Sequence, residues 1–187
     1  ELSYGIAPEA FRGRLSNSRQ LRHGVGASLN AGFRQAFERS PLVLYAVDDW
    51  SLVEPVDVTL WADLLVERED VGCVRLGPPH PNTRGAVEMF SVDAEPPANA
   101  ERGGWFLRLD PYAFAFGHRP ALYHRRFLEA WGWFLEGVSA FDCEQEYAER
   151  YAASIERQAG PGVVLALPTP WRHLESIELA DIVPEGA

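Results

Sequence analysis

Two adjacent carboxylates, Asp48 and Asp49, directly follow the apolar run Leu42 to Val47 (LVLYAV). Side-by-side carboxylates repel each other, and a divalent cation relieves that repulsion. Mg²⁺ or Mn²⁺ suits such oxygen ligands, and Mg²⁺ commonly binds through one or two carboxylates plus substrate phosphates. Aspartates in this position also have a plainer use, because Asp caps turns and helix starts. A second acidic group, Asp142-Cys143-Glu144-Gln145-Glu146, opens a helical run. A carboxylate there has the chemistry of a general base toward a hydroxyl. Capping competes here too, since Ser139-x-x-Asp142 and Asp142-x-x-Gln145 both have capping spacing.

Weaker signals surround these two. Arg22 precedes a glycine-rich turn, and a guanidinium pairs well with phosphate. His118 and His124 flank Pro120, where an imidazole can ligate metal or phosphate, although lone histidines more often pack or face water. Trp105, Trp131 and Trp133 carry faces on which a sugar can stack, and such rings also serve as core. Cys73 and Cys143 are too few for a disulfide framework and read as free thiols in a reducing cytoplasm.

The elements that must position these residues alternate between helix and strand. Helices are expected over Pro8 to Leu15, Ala27 to Arg39, Pro55 to Val66, Pro120 to Trp131 and Asp142 to Gln158, from apolar residues at helical spacing. Leu42 to Val47, Val71 to Leu76 and Val163 to Leu167 are continuous apolar runs of strand length, the pattern of buried parallel strands. Leu44 is therefore expected in the core. Ala86 to Val92, Trp105 to Leu109 and Tyr112 to Phe116 are expected as further strands. Gly77 to Arg84 and Asp93 to Gly104 are expected as loops, punctuated by proline. The order predicts an α/β sheet covered on both faces, with ligands at the C-terminal ends of its strands.

Composition bounds the function classes. The chain has 187 residues, enough for one domain that buries roughly 70% of its unfolded surface. A net charge of −10 argues against a broad nucleic-acid surface. No apolar run is long enough to span a membrane.

The segment His23-Gly24-Val25-Gly26-Ala27-Ser28-Leu29-Asn30-Ala31-Gly32-Phe33 resembles the pattern of family 2 glycosyltransferases, in which glycine, a small residue and Asn-x-Gly open a helix. The order continues through LVLYAV to Asp48-Asp49, then Gly132-Trp133-Phe134-Leu135-Glu136 and Phe141-Asp142-Cys143-Glu144, which resemble the family's later loop and acidic segment. Leu29 stands where the family usually has Arg or Lys, Trp50 where an Asp-x-Asp would end, and Phe141 where Glu is usual. The resemblance covers residues 19–159, with 160–187 forming a C-terminal strand and tail of one domain. It implies an A-type glycosyltransferase (Rossmann-like) mixed sheet. The family's opening strand–helix–strand has no counterpart before Gly26, so an N-terminally incomplete domain is expected.

The implied activity is transfer of a sugar from a nucleotide diphosphate sugar donor to a hydroxyl-bearing acceptor, with inversion, using Mn²⁺ or Mg²⁺. Asp48 and Asp49 would hold the metal and diphosphate, and Arg22 and Asn30 would assist the donor. Asp142 would be the base, with Glu144 as substitute. Trp133, Trp105 and His118 would line the acceptor site. The alternative is a non-catalytic binding or structural domain derived from that fold.

Overall fold

The computed structural model describes residues 24–47, 49–53, 58–77, 86–92, 104–109, 118–155, 160–167 and 169–173. The expectations for 8–15, 78–84, 93–103 and 112–116, and for the tail from 174, lie outside the described residues. Helix α1 spans Gly24–Phe37 and buries Leu29, Asn30, Phe33 and Phe37. Strands β1 (Leu42–Tyr45) and β2 (Trp50–Leu52) follow, then α2 (Thr59–Glu67) and β3 (Val71–Arg75). Next come β4 (Ala86–Val92), β5 (Gly104–Leu109), β6 (Ala121–His124), α3 (Arg125–Trp131), α4 (Ala140–Ile155), β7 (Gly162–Leu167) and β8 (Trp171–His173).

Six strands form a mixed sheet in the order β1-β6-β3-β7-β5-β4. β3 and β7 are parallel, and every other pairing in the sheet is antiparallel. β2 and β8 form a separate antiparallel pair. Alternation along the strands sends side chains to two cores. Tyr123, Val163 and Leu165 pack with α1, α3 and α4 on one face. Leu122, Val164 and Ala166 pack with Trp61, Leu64 and Leu65 of α2 on the other. A register shift between Val71 and Cys73 puts these two residues on opposite faces. The expected α/β sheet with helices on both faces is therefore present.

Three expectations are corrected. Leu42 to Val47 is not a central parallel strand: β1 ends the strand order and pairs antiparallel with β6. Val43 and Tyr45 lean on one core and Leu42 on the other, but Leu44 is 46% exposed. An apolar run reports low polarity, and an edge strand beside a helix satisfies that as well as a central one. Pro120 to Trp131 is not one helix. Ala121 to His124 is drawn between β1 and β3 as a strand, and the helix begins only at Arg125. His124 then caps it, its Nδ1 accepting from the Arg126 N–H at 3.1 Å. The short strands β2 and β8 carry too few residues for a period to show, and sequence reading missed both.

Arg126 locks the first turn of α3 to the C-terminal end of α2. Its guanidinium donates to the carbonyls of Leu65, Arg68 and Val71. The carbonyls that a helix end leaves without intrahelical partners are met in this way. Among the described residues, no helix is long and apolar enough to cross a membrane.

Candidate functional site

Ala121 opens β6 and pairs with Tyr45 on one side and Arg75 on the other. The residues after β1, those after β3 and those before β6 therefore meet at one rim of the sheet. The rim carries Asp49 and Trp50, Arg75 to Gly77, and His118 to Pro120. It is the C-terminal end of the parallel pair β3 and β7, where α/β sheets place ligands. The Leu76 N–H donates to the Pro120 carbonyl at 2.9 Å, which fastens two of these segments. The β2–β8 pair and a Val53 N–H to Pro170 carbonyl bond of 3.0 Å bring the chain after β7 to the same end.

Trp50 is buried against Gly77. A Cβ at position 77 would lie 2.8 Å from the indole, so only glycine admits the ring there. The Arg119 guanidinium stands over the same indole, 5.6 Å from the ring centroid. Arg75, at the end of β3, is only 4% exposed.

Glu144 reaches this rim from α4. Its Oε1 accepts from the His118 backbone N–H at 2.6 Å, and the imidazole Nε2 lies 4.0 Å away. Burial lowers the His118 pKa; Glu144 opposes that shift and Arg75 adds to it. The imidazole is therefore biased toward its neutral form. Burial and the nearby Arg75 also lower the pKa of Arg119, with Glu144 again opposing.

Asp142 faces elsewhere. Ser139 Oγ accepts from the Asp142 N–H at 3.1 Å and donates to Asp142 Oδ2 at 2.7 Å. Ser139 thus caps the start of α4, and the Asp142 carboxylate holds the capping hydroxyl. Residues two apart on a helix do not share a face. The spacing that leaves Asp142 exposed at the cap is thus the spacing that turns Glu144 toward His118.

The loop after α3 is pinned from three directions. Gly132 has φ +88°, and a Cβ there would lie 2.3 Å from Arg150 Nη1. Arg150 donates to the carbonyls of Trp131 at 2.6 Å and Trp133 at 2.8 Å. The Tyr147 hydroxyl donates to the Gly132 carbonyl at 3.1 Å.

Asn30 supplies the third tie. Its Nδ2 donates to the Phe134 carbonyl at 2.9 Å and to Glu136 Oε1 at 2.8 Å. Its Oδ1 accepts from the Phe134 N–H at 2.9 Å. At 1% exposed, Asn30 clamps α1 to the loop instead of presenting its amide to a ligand. Gly26 belongs to the same contact: a Cβ there would lie 2.0 Å from the Leu135 carbonyl oxygen. The glycine-rich start of α1 thus serves close packing.

The remaining expected residues fall as follows. Trp133 lies beside α1 with the Arg34 guanidinium 4.7 Å above its ring. The Trp105 backbone sits in β5 opposite Leu167. Its side chain lies outside the described residues, as do Asp48 and Arg22. Cys73 and Cys143 are both free and buried. Burial pushes the Cys73 thiol up to about 12 and raises that of Cys143 as well, so both serve packing.

One rim residue, Arg75, escaped the sequence reading, and Trp50 entered it only as a departure from the family pattern. The signal for Arg75 was present, as the one charge inside the apolar run VGCVRL. Among the described residues there is no group of three or more His, Cys, Asp or Glu side chains able to hold a metal. A Mg²⁺ or Mn²⁺ ion at Asp49 would need phosphate oxygens to fill its shell, which is how Mg²⁺ commonly binds. The donor type fits the ion; the donor number fits only a metal that arrives with its ligand. No family model, curated protein or solved structure matches this chain.

Proposed function

We propose that the chain is the catalytic part of a metal-dependent inverting glycosyltransferase that moves a sugar from a nucleotide diphosphate sugar to a hydroxyl acceptor. The observation that carries this reading is the placement of Glu144. A helix-borne carboxylate is held by the His118 N–H at the same sheet rim as Asp49. Two separated carboxylate functions, one toward an ion and diphosphate and one toward an acceptor proton, are what the reaction requires. Asp48 and Asp49 would hold a divalent ion, whose positive charge would stabilise the departing diphosphate.

The chain's own residues do the rest. Glu144 takes the acceptor hydroxyl proton on its carboxylate as the oxygen attacks the anomeric carbon. The His118 N–H, bonded to Oε1, fixes the carboxylate plane so that it is aimed before substrate arrives. Ser139, its hydroxyl held by the Asp142 carboxylate, caps α4 and so sets where Glu144 points. Asn30, Tyr147 and Arg150 hold the loop between α3 and α4 and keep that helix start in place.

The test is donor hydrolysis, the slow transfer to water that such a site performs without acceptor. UDP-sugars and GDP-sugars are screened for nucleoside diphosphate release, with Mn²⁺ and with excess EDTA. The expected result is release from one donor class that requires Mn²⁺. Release that is indifferent to EDTA, or that is found equally in Asp49→Ala, contradicts the reading.

A further inference from the structure

Strand β1 carries hydrogen-bonding groups that the sheet does not use. The Arg125 N–H donates to the Pro41 carbonyl at 2.8 Å, which makes these two residues a hydrogen-bonded pair at the foot of the β1–β6 ladder. Such pairs recur at every second residue of an antiparallel ladder, so Val43 and Tyr45 bond to Tyr123 and Ala121. Leu42, Leu44 and Ala46 therefore turn their N–H and C=O groups away from β6, to the outer edge. The Leu42 N–H is met by Ser40 Oγ at 3.1 Å. Leu44 and Ala46 are exposed, and among the described residues no strand lies beyond β1.

Edge strands are commonly guarded by charge, proline or a bulge. β1 has none of these: it reads LVLY, and its register with β6 is unbroken. Beside it lies a groove of about 430 Å³, walled by Val25, Leu29 and Phe33 of α1 and by Val43 and Tyr45. Ser28 and Gly32, one turn apart and both exposed, line it too, and a Cβ at Gly32 would meet no atom within 4 Å. This side of α1 therefore admits a second backbone at close range.

The edge is complementary to itself. Antiparallel pairing with β1 of a second copy, centred on Leu44, sets Leu44 opposite Leu44 and Leu42 opposite Ala46. Every outward residue then meets an outward residue, as a hydrogen-bonded ladder requires. The same register, carried outward, sets Arg39 of each copy opposite Asp49 of the other; both residues are exposed. The uncharged strip thus ends in opposite charges on both sides, which lowers the repulsion between two chains that each carry −10. Like patch meets like patch about a two-fold axis, the commonest symmetry of soluble oligomers.

We propose that β1 is a dimerisation edge: two copies of this chain pair antiparallel through Leu42 to Ala46, with the two-fold axis at Leu44, and their sheets run on as one. The groove beside α1 becomes the space where the two α1 helices face each other across Ser28 and Gly32.

The test is sedimentation of the whole chain at rising concentration, beside cross-linking of single-cysteine substitutions. Wild type is expected to form a dimer at micromolar concentration. Leu44→Lys sets two ammonium groups opposite each other at the axis and is expected to raise the dissociation constant about tenfold or more. Arg39→Glu is expected to raise it as well. Residues of a hydrogen-bonded antiparallel pair lie about 5.5 Å apart at Cα, within disulfide reach. Leu44→Cys is therefore expected to form a disulfide-linked dimer under mild oxidation, and Val66→Cys, exposed on α2, to form none. Cys73 and Cys143 are buried and stay out of this reaction. Thermal melts accompany every variant, and should Leu44→Lys melt early, the contrast between the two cysteine variants decides. A wild-type chain that stays monomeric, a dimer unchanged in a folded Leu44→Lys, or cross-linking by Leu44→Cys no better than by Val66→Cys overturns the proposal. No donor, acceptor or metal enters the experiment, so failure here leaves the transferase reading intact.

Discussion

The Glu144 carboxylate accepts a 2.6 Å hydrogen bond from the backbone N–H of His118, across 26 residues of chain. The bond joins the first turns of α4 to the segment that leads into β6. It also separates the roles of two acids that look interchangeable in sequence. Glu144 is turned to the sheet rim, and Asp142 is tied to Ser139 at the helix start.

The first prediction concerns that division. Asp142→Ala removes the acceptor of the Ser139 hydroxyl and the acidic charge of the first turn, and is expected to cost about 0.3–1 kcal/mol of stability. Asp142→Asn keeps an acceptor for that hydroxyl and is expected to change stability by only a few tenths of a kcal/mol. Urea melts of the two variants check this. Equal losses in both would mean that the Ser139–Asp142 contact does not set the start of α4.

A core leucine and an edge-strand leucine give a contrast in cavity cost. Leu65 of α2 is fully buried, and Leu65→Ala is expected to cost about 2–5 kcal/mol. Leu44, 46% exposed on the edge strand β1, is expected to cost well under that range, about 1 kcal/mol or less. Denaturant midpoints with unchanged slopes give both values. A larger loss for Leu44→Ala than for Leu65→Ala would contradict the strand order.

Acid sensitivity is expected from Asp70. The Arg68 side chain, together with Arg108, holds its carboxyl well below the usual carboxylate range, against a smaller opposing effect of burial. A carboxyl depressed in the folded state stabilises the protein above its unfolded pKa. That contribution is lost as pH falls from the ordinary Asp value of about 3.9 toward the folded value. Asp70→Asn is therefore expected to be less stable than wild type near neutrality, with the gap closing below about pH 4. Melts across that range check it. A gap of constant size from neutral to acid would show that the ion pairs contribute nothing that titrates.

The fold was legible where an element's own sequence determines it. Leu29, Phe33 and Phe37 sit at helical spacing and do form the buried stripe of α1. The runs at Val71 and Val163 are the buried parallel pair. Failures came where partners decide. Ala121 to His124 became a strand because β1 and β3 flank it, a tertiary effect that propensity does not carry. Of the site, the acidic segment after Ser139 was readable, including its capping alternative. Which acid turns to the rim was not, because it depends on His118 lying over one face of α4. Asn30 was misleading for a related reason: a conspicuous polar residue in a helix served a loop 104 residues away. Arg75 and Arg119 come to one rim only through the β3–β6 register.

The most direct measurement is single-turnover sugar transfer by Glu144→Gln and Asp142→Asn, from a donor identified by the hydrolysis screen. Glutamine keeps the shape and still accepts from the His118 N–H but takes no proton. Glu144→Gln is therefore expected to lose about 10²–10⁴-fold in rate while binding the Mn²⁺–nucleoside diphosphate complex as wild type does. Asp142→Asn is expected to stay within about threefold of wild type, since an acceptor for the capping Ser139 hydroxyl remains. Transfer by Glu144→Gln within about threefold of wild type would contradict the assignment of the base, which rests on this residue's placement at the rim.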